Sequence, residues 1–316
     1  MSVYDDLGTR PPRLRKLGTV DLDMVETTPV VFAGKLYRFE YVRPSYWDNH
    51  TGQSYFRFVD VASGSSTPPF GAGHHLGCAH VEGARAYAYG TNEWGGDSIR
   101  VFWSDDLRTW QDAIAVNLPG WQAYNTSVCR SGDGYIMAIE MGGPPELVGE
   151  RFTIFFAESP NLVNWRMLPL DRVFSKEKYT ACPAIRFLEG YYYMIYLEAC
   201  PGPTYEPHVV RSKNLIEWEE SPRGAVMQPS FEDKIIANPR LTEDQVHQVS
   251  KAVNINNSDV DLCDHRGRTH IFYSWGNQRG TEFLARAVLD TDLRGVFRFL
   301  FPEKGEDRPR KRAPRR

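Results

Sequence analysis

The chain has 316 residues, 41% hydrophobic and 13% aromatic, enough for one sizeable core and short for more than two ordinary domains. A formal charge of −3 and an isoelectric point near 6.3 argue against a general nucleic-acid binder. No apolar run reaches the ~18 residues that a membrane span needs. The N-terminus shows no apolar signal segment, and the cysteines (Cys78, Cys129, Cys182, Cys200, Cys263) are scattered without a CxxC pair. They read as reduced, buried thiols in a cytoplasmic protein.

In chain order the sequence predicts five similar units, each a short strand, a glycine turn and an aromatic strand. The first runs from Thr28–Phe32 through Gly34 to Leu36–Phe39, and the second from Leu76–Cys78 through Gly83 to Ala86–Tyr89. The third has Thr126–Val128, the turn Gly132-Asp133-Gly134 and Tyr135–Ile139. The fourth has Pro183–Ile185, Glu189-Gly190 and Tyr191–Leu197. The fifth has Asp259–Leu262, Arg266-Gly267 and His270–Tyr273. Glycine turns between β-rich runs are hairpin signals. Before the fifth unit, Thr242-Glu243-Asp244-Gln245 reads as a capping box. Val246, Val249 and Val253 follow it at helical spacing, predicting a peripheral helix.

Three units continue into the run Ser-x-x-Leu-x-x-Trp: Ser104–Trp110, Ser159–Trp165 and Ser212–Trp218. The tryptophans fall 55 and 53 residues apart, a period characteristic of propellers. The first unit lacks the run, and the fifth keeps a remnant in Asp292–Val296. The expected fold is all-β, a single-domain five-bladed β-propeller. Leu17 to Val25 is expected to close the ring by pairing with the last blade. This divides the chain into an N-terminal segment (1–25), the propeller (26–302) and a basic, disordered tail (303–316).

On the repeated S-x-(D/N)-L-x-x-W runs and on Gly-Tyr-Tyr-Tyr-Met-Ile-Tyr (190–196), the chain resembles the five-bladed propeller glycosidases, the superfamily of glycoside hydrolase family 43 and its relatives. The resemblance covers residues 26 to 300. It implies a carbohydrate substrate and a site in the funnel at one end of the axis, lined by the starts of the innermost strands. Family 43 proper carries carboxylates in Asp-Pro pairs at blades one and three and a Glu before a Pro at blade four. Here Thr28 precedes Pro29, Asn125 or Ser127 stands at blade three, and Thr180-Ala181-Cys182-Pro183 has no Glu. The pattern is that of a divergent relative with its carboxylates elsewhere. No cofactor is expected; such propellers leave room for a structural calcium ion on the axis, although no loop here has calcium-ligand spacing.

Glycosidic cleavage needs two carboxyl groups, one protonated and one ionised, so acids near inner-strand starts or aromatic-strand ends are the candidates. Asp259 is the first choice as base. Asp261 alternates with it and is expected on the same strand face. Glu140 and Glu198 end apolar strands, where burial would suit a general acid, and Glu26 stands just before blade one. Substrate-binding candidates are His74, His75, Asp261, Tyr124, Asn125, Thr180, Asn257, Trp94, Asp97 and Trp275. Trp47 and Trp121 are further stacking aromatics. The neighbouring histidines point to opposite strand faces and suit sugar contact better than zinc.

The expected activity is hydrolysis of short oligosaccharides. Phosphorolysis of the mannosyl-phosphorylase type is the alternative, with Arg43, Arg240, His74 and His75 as a phosphate pocket. A carbohydrate-binding propeller without catalysis is the third reading. No nucleic-acid or membrane partner is expected, and the sequence leaves the oligomeric state open.

Overall fold

The computed structural model describes residues 11–49 and 51–302; the basic stretch from Arg308 to Arg316 lies outside the described residues. Five small sheets form a five-bladed propeller. The first strand, β1 (Leu14–Leu22), belongs to the last sheet. Blade I has three strands, β2 (Thr28–Phe32), β3 (Lys35–Val42) and β4 (Tyr55–Asp60). Blade II is β5 (His75–Glu82), β6 (Arg85–Thr91), β7 (Ser98–Ser104) and β8 (Gln111–Asn117). Blade III is β9 (Gln122–Ser131), β10 (Gly134–Gly143), β11 (Thr153–Ser159) and β12 (Arg166–Met167), with a short helix, α1 (Pro145–Val148), after β10. Blade IV is β13 (Thr180–Leu188), β14 (Tyr191–Cys200), β15 (Thr204–Ser212) and β16 (Glu219–Glu220). Blade V is β17 (Asn256–His265), β18 (Arg268–Gly276) and β19 (Phe283–Leu289), with β1 as its outer strand.

Each blade is antiparallel, and the innermost strands β2, β5, β9, β13 and β17 contact one another in a closed ring. β1 pairs antiparallel with β19, so one sheet joins the two ends of the described chain. The apolar residues of the hairpins pack between neighbouring blades. One core cluster joins blades II and III through Tyr89, Val101, Met137 and Phe155; another joins blades IV and V through Tyr193, Ile271, Trp275 and Phe297.

The helix α2 (Glu243–Lys251) opens at Thr242, whose hydroxyl accepts the Gln245 amide in a capping box. The remnant at Asp292–Val296 does not make the bend found in the other blades. Asp292 instead caps a helix, α3 (Leu293–Leu300), whose Val296, Phe297 and Leu300 bury against blades IV and V. Without a tryptophan at the end of the run, the apolar spacing there follows a helix.

At the inner-strand starts four blades repeat one irregularity. Two residues on the inner strand oppose a single residue on the second strand: Leu76-Gly77, Tyr124-Asn125, Cys182-Pro183 and Asp259-Val260. Leu76, Cys182 and Asp259 adopt positive φ of 52°, 49° and 49°, and Glu26 holds the corresponding place before blade I at 52°. Such bulges re-aim side chains and recur beside functional sites.

Candidate active site

The bulges surround a small cavity on the axis. Glu26 and Thr28 line it from blade I, Gly77 from II, Asn125 from III, Cys182 from IV, and Asp259 and Asp261 from V. Its volume is about 30 Å³, room for about one water molecule. A sugar ring is far larger, so a sugar can sit only above this floor.

Three carboxyl groups from three blades interact here. Glu140 is on β10, opposite the Tyr124-Asn125 bulge, and is 3% exposed. Its Oε2 accepts the Cys182 amide at 2.7 Å and the Asn125 side-chain amide at 3.0 Å. Burial pushes this carboxyl up to about 7 against those two hydrogen bonds, and the charge of Asp259 adds to the rise. Burial likewise raises Glu26 to about 8, opposed by Arg43 and assisted by Asp259 and Glu140. The Arg43 guanidinium is 3.5 Å from Glu26 and lies over the rings of Tyr41 and Tyr46. Asp259 lines the cavity and accepts the Ser258 hydroxyl at 2.6 Å.

A fourth acid, Glu282, joins the cluster from the turn before β19. Its Oε1 accepts the backbone amides of Asn277 and Gln278, and burial raises it to about 7, with Asp259 contributing. Sequence reasoning missed it because it lies in a loop outside any strand pattern; in the structure Gly276 beside it holds φ 155°. A Cβ on that glycine would come within 2.5 Å of the Glu282 carboxylate.

The structure separates the remaining candidates. Asp261 also lines the cavity, but not through strand alternation, which the Asp259-Val260 bulge interrupts. It is paired with Arg186 at 2.5 Å and accepts the Leu262 amide. Glu198 does not join the cluster. Burial favours its neutral form, but Lys178 at 2.7 Å and the Tyr196 hydroxyl together hold it below its ordinary value. Thr180 is fully buried and bonded to the Phe152 carbonyl. Asn257 is fully buried and ties Lys16 to Asp233. Trp275 is a core residue, stacked on Phe283 and donating to the Thr19 hydroxyl at 2.9 Å. These three are removed from substrate because their polar atoms complete interior networks.

Tyr124 is buried; its hydroxyl accepts Arg151 at 2.8 Å, and Trp94 packs edge-on against it. Asp97 is exposed in the turn closed by Asn92. His75 is buried beside the cluster, its Nδ1 2.7 Å from the Tyr41 hydroxyl. His74 points instead into a groove of about 340 Å³ on blade II, with Arg100, Phe102 and Asp112. Of the other proposed phosphate ligands, Arg240 lies near Gly64 and donates to the Ser63 carbonyl, while Arg43 stands 3.5 Å from Glu26 and shares Tyr41 with His75. No phosphate pocket is assembled from these four residues.

Nor do the residues at the cavity floor fit an axial calcium ion. Arg186 enters from β13, its guanidinium donating to Asp261 Oδ1 and to the carbonyls of Leu262 and Ile185. Calcium needs six to eight oxygen ligands, and Arg186 already holds Asp261 Oδ1 and the Leu262 and Ile185 carbonyls. Among the described residues, no group of three or more His, Cys, Asp or Glu side chains could hold a metal ion.

No family model and no curated protein matches the chain. Solved structures match it in fold. A structure described as a glycoside hydrolase is 14% identical, covers 90% of this chain and 93% of its own, and superposes with a TM-score of 0.59. A thermostable family-43 glycoside hydrolase is 10% identical over 85% of this chain and 90% of its own, with a TM-score of 0.60. The α-L-arabinofuranosidase PaAbf62A from Podospora anserina, solved with cellotriose, is 7% identical over 86% of this chain and 95% of its own, with a TM-score of 0.58. At these identities the likeness is one of fold.

Proposed function

We propose that this propeller is a glycoside hydrolase acting on short oligosaccharides, with Asp259 as general base and Glu140 as general acid. The observation that carries the reading is the meeting of Asp259 with carboxyls of raised pKa at the axial end of the ring. Support comes from the solved propellers of like fold, which are glycoside hydrolases. In the proposed step Glu140 gives its proton to the leaving oxygen as the glycosidic bond breaks. Asp259 takes a proton from the water whose oxygen attacks the anomeric carbon. Glu140 suits the acid role because its oxygen is held by the neutral amides of Asn125 and Cys182, whereas Arg43 faces Glu26.

Hydrolysis is preferred over phosphorolysis. Burial that raises these carboxyls also disfavours a further anion, and His74 and Arg240 lie away from Arg43 and His75. Binding without turnover is the second reading, favoured by the one-water size of the cavity. The deciding experiment incubates the purified protein with a panel of oligosaccharides, with and without phosphate, followed by product analysis. Phosphate-independent sugar release, lost in both Asp259→Asn and Glu140→Gln, supports the reading. Thermal stabilisation by a sugar with no release would sink the hydrolase assignment.

A further inference from the structure

Beneath the acid cluster lies a charged group that the proposed reaction does not use. Arg186 projects from the inner strand of blade IV, and its charge acts on Cys78 and His80 of blade II, Cys129 of blade III and Cys263 of blade V. Its hydrogen bonds join the inner strands of blades IV and V. One arm of the guanidinium donates to the Ile185 carbonyl at 2.7 Å on its own strand. The other donates to Asp261 Oδ1 at 2.5 Å and to the Leu262 carbonyl at 2.6 Å, across on β17. Asp261 also accepts the Leu262 amide and shares the cavity lining with Thr28 of blade I. One part-buried network therefore ties blades IV and V together at the foot of the cavity.

The network holds β17 at the residue where its register resumes after the bulge, since Asp261 pairs with Phe272 and the two residues before it are the bulge. Asp259, with its positive φ of 49°, is the first of those two. A non-glycine residue in that conformation persists only where the surroundings impose it. The planar fork of an arginine, unlike a lysine ammonium, fixes a carboxylate and a carbonyl in direction as well as distance.

We propose that Arg186 is a built-in axial cation and the positioning residue for Asp259, so that this propeller needs no divalent ion on its axis. The positioning half rests on the reading of Asp259 as general base; the cation half does not. Thermal unfolding of the full chain after dialysis against EDTA, then with millimolar CaCl2 added, tests the cation half without any substrate. An unchanged Tm is expected, and a calcium-dependent rise of several degrees would overturn it.

The positioning half is read in kinetics on whatever substrate the wild-type protein turns over. Arg186→Ala should lose roughly 100-fold in kcat, the scale of a 1 Å misplacement, with KM nearly constant and partial recovery in added guanidinium. Arg186→Lys, which keeps the charge, should also lower kcat and shift the acid limb of the pH–rate profile. Wild-type kcat and pH profile in Arg186→Lys would overturn the positioning role even if Arg186→Ala does not fold. Absence of turnover by the wild-type protein would instead count against the hydrolase reading and leave the calcium experiment to decide the axial cation.

Discussion

At the scale of single residues, burial at and beside the cavity disfavours the ionised forms of three glutamates. Glu140 and Glu282 rise to about 7 and Glu26 to about 8 because burial penalises their ionised forms. If Glu140 is the general acid, kcat/KM should fall above about pH 7 as it loses its proton, and Glu140→Gln should abolish that limb along with most of the rate. A pH–rate series on both proteins checks this. Stability should follow the same groups. Each carboxyl has an ordinary value of 4.5, so between that pH and its native value the native state binds more protons than the unfolded chain. The contribution is complete below about pH 4.5 and lost as pH rises through 7 to 8. The Tm should therefore fall between pH 5 and pH 8.5, and Glu140→Gln should flatten that slope. A Tm that rises over this range would contradict the placement of these acids. Glu282 was not legible beforehand: an acid in a loop enters a site only through the folding of the turn that carries it.

At the scale of elements, the Ser-x-x-Leu-x-x-Trp run proves to be a self-contained bend. In blade III the Ser159 hydroxyl accepts the amides of Asn161 and Leu162 at 3.1 and 3.0 Å. The Asn161 side chain accepts those of Val163 and Asn164 at 3.1 and 2.9 Å. Blade IV repeats the arrangement with Ser212 and Asn214, and blade II repeats most of it with Ser104 and Asp106. The central leucine carries positive φ in each copy, 57° at Leu107, 66° at Leu162 and 60° at Leu215, and is buried to within 2%. Leucine rather than glycine fills this strained position because its side chain anchors the bend in the core between blades. Leu162→Ala should cost about 2–4 kcal/mol and Ser159→Ala about 1 kcal/mol, both read from denaturant unfolding. A leucine loss below that of the serine would refute the anchoring role. The spacing made this motif visible in the sequence, whereas the bulges at the inner-strand starts left no spacing to read. Strand alternation therefore put Asp259 and Asp261 on one face for the wrong reason.

At the scale of the whole molecule, the first strand of the described chain completes the last blade, and the connection between blades IV and V runs along its outer edge. Thr19 exchanges backbone hydrogen bonds with Ile235 and Ala237, while its hydroxyl donates to the Asp233 carbonyl and accepts the Trp275 ring nitrogen. Trp275 is thus the point where β1, β18 and the connection meet, which is why this tryptophan is interior and not a sugar platform. Trp275→Ala should cost about 3–5 kcal/mol, the price of a large core aromatic, and should leave the affinity of any bound sugar unchanged in the folded fraction. Calorimetric titration alongside thermal unfolding separates the two effects, and a selective loss of sugar affinity would return Trp275 to the site.

The blade count, the hairpins and the bends were determined by the sequence alone, because each is a local device. A glycine turn, an alternating strand and a Ser-to-Trp bend all act within a few residues of one another, so their period of just over 50 is written directly in the chain. Glu26, Glu140 and Asp259 come from a connector, a second strand and a bulge, and only ring closure brings them together. Tertiary structure alone decided which acids meet, which are neutralised by Lys178 or Arg186, and how little space remains between them. The reason is physical: pairing and burial are properties of neighbours in space, and here those neighbours lie on different blades, far apart along the chain.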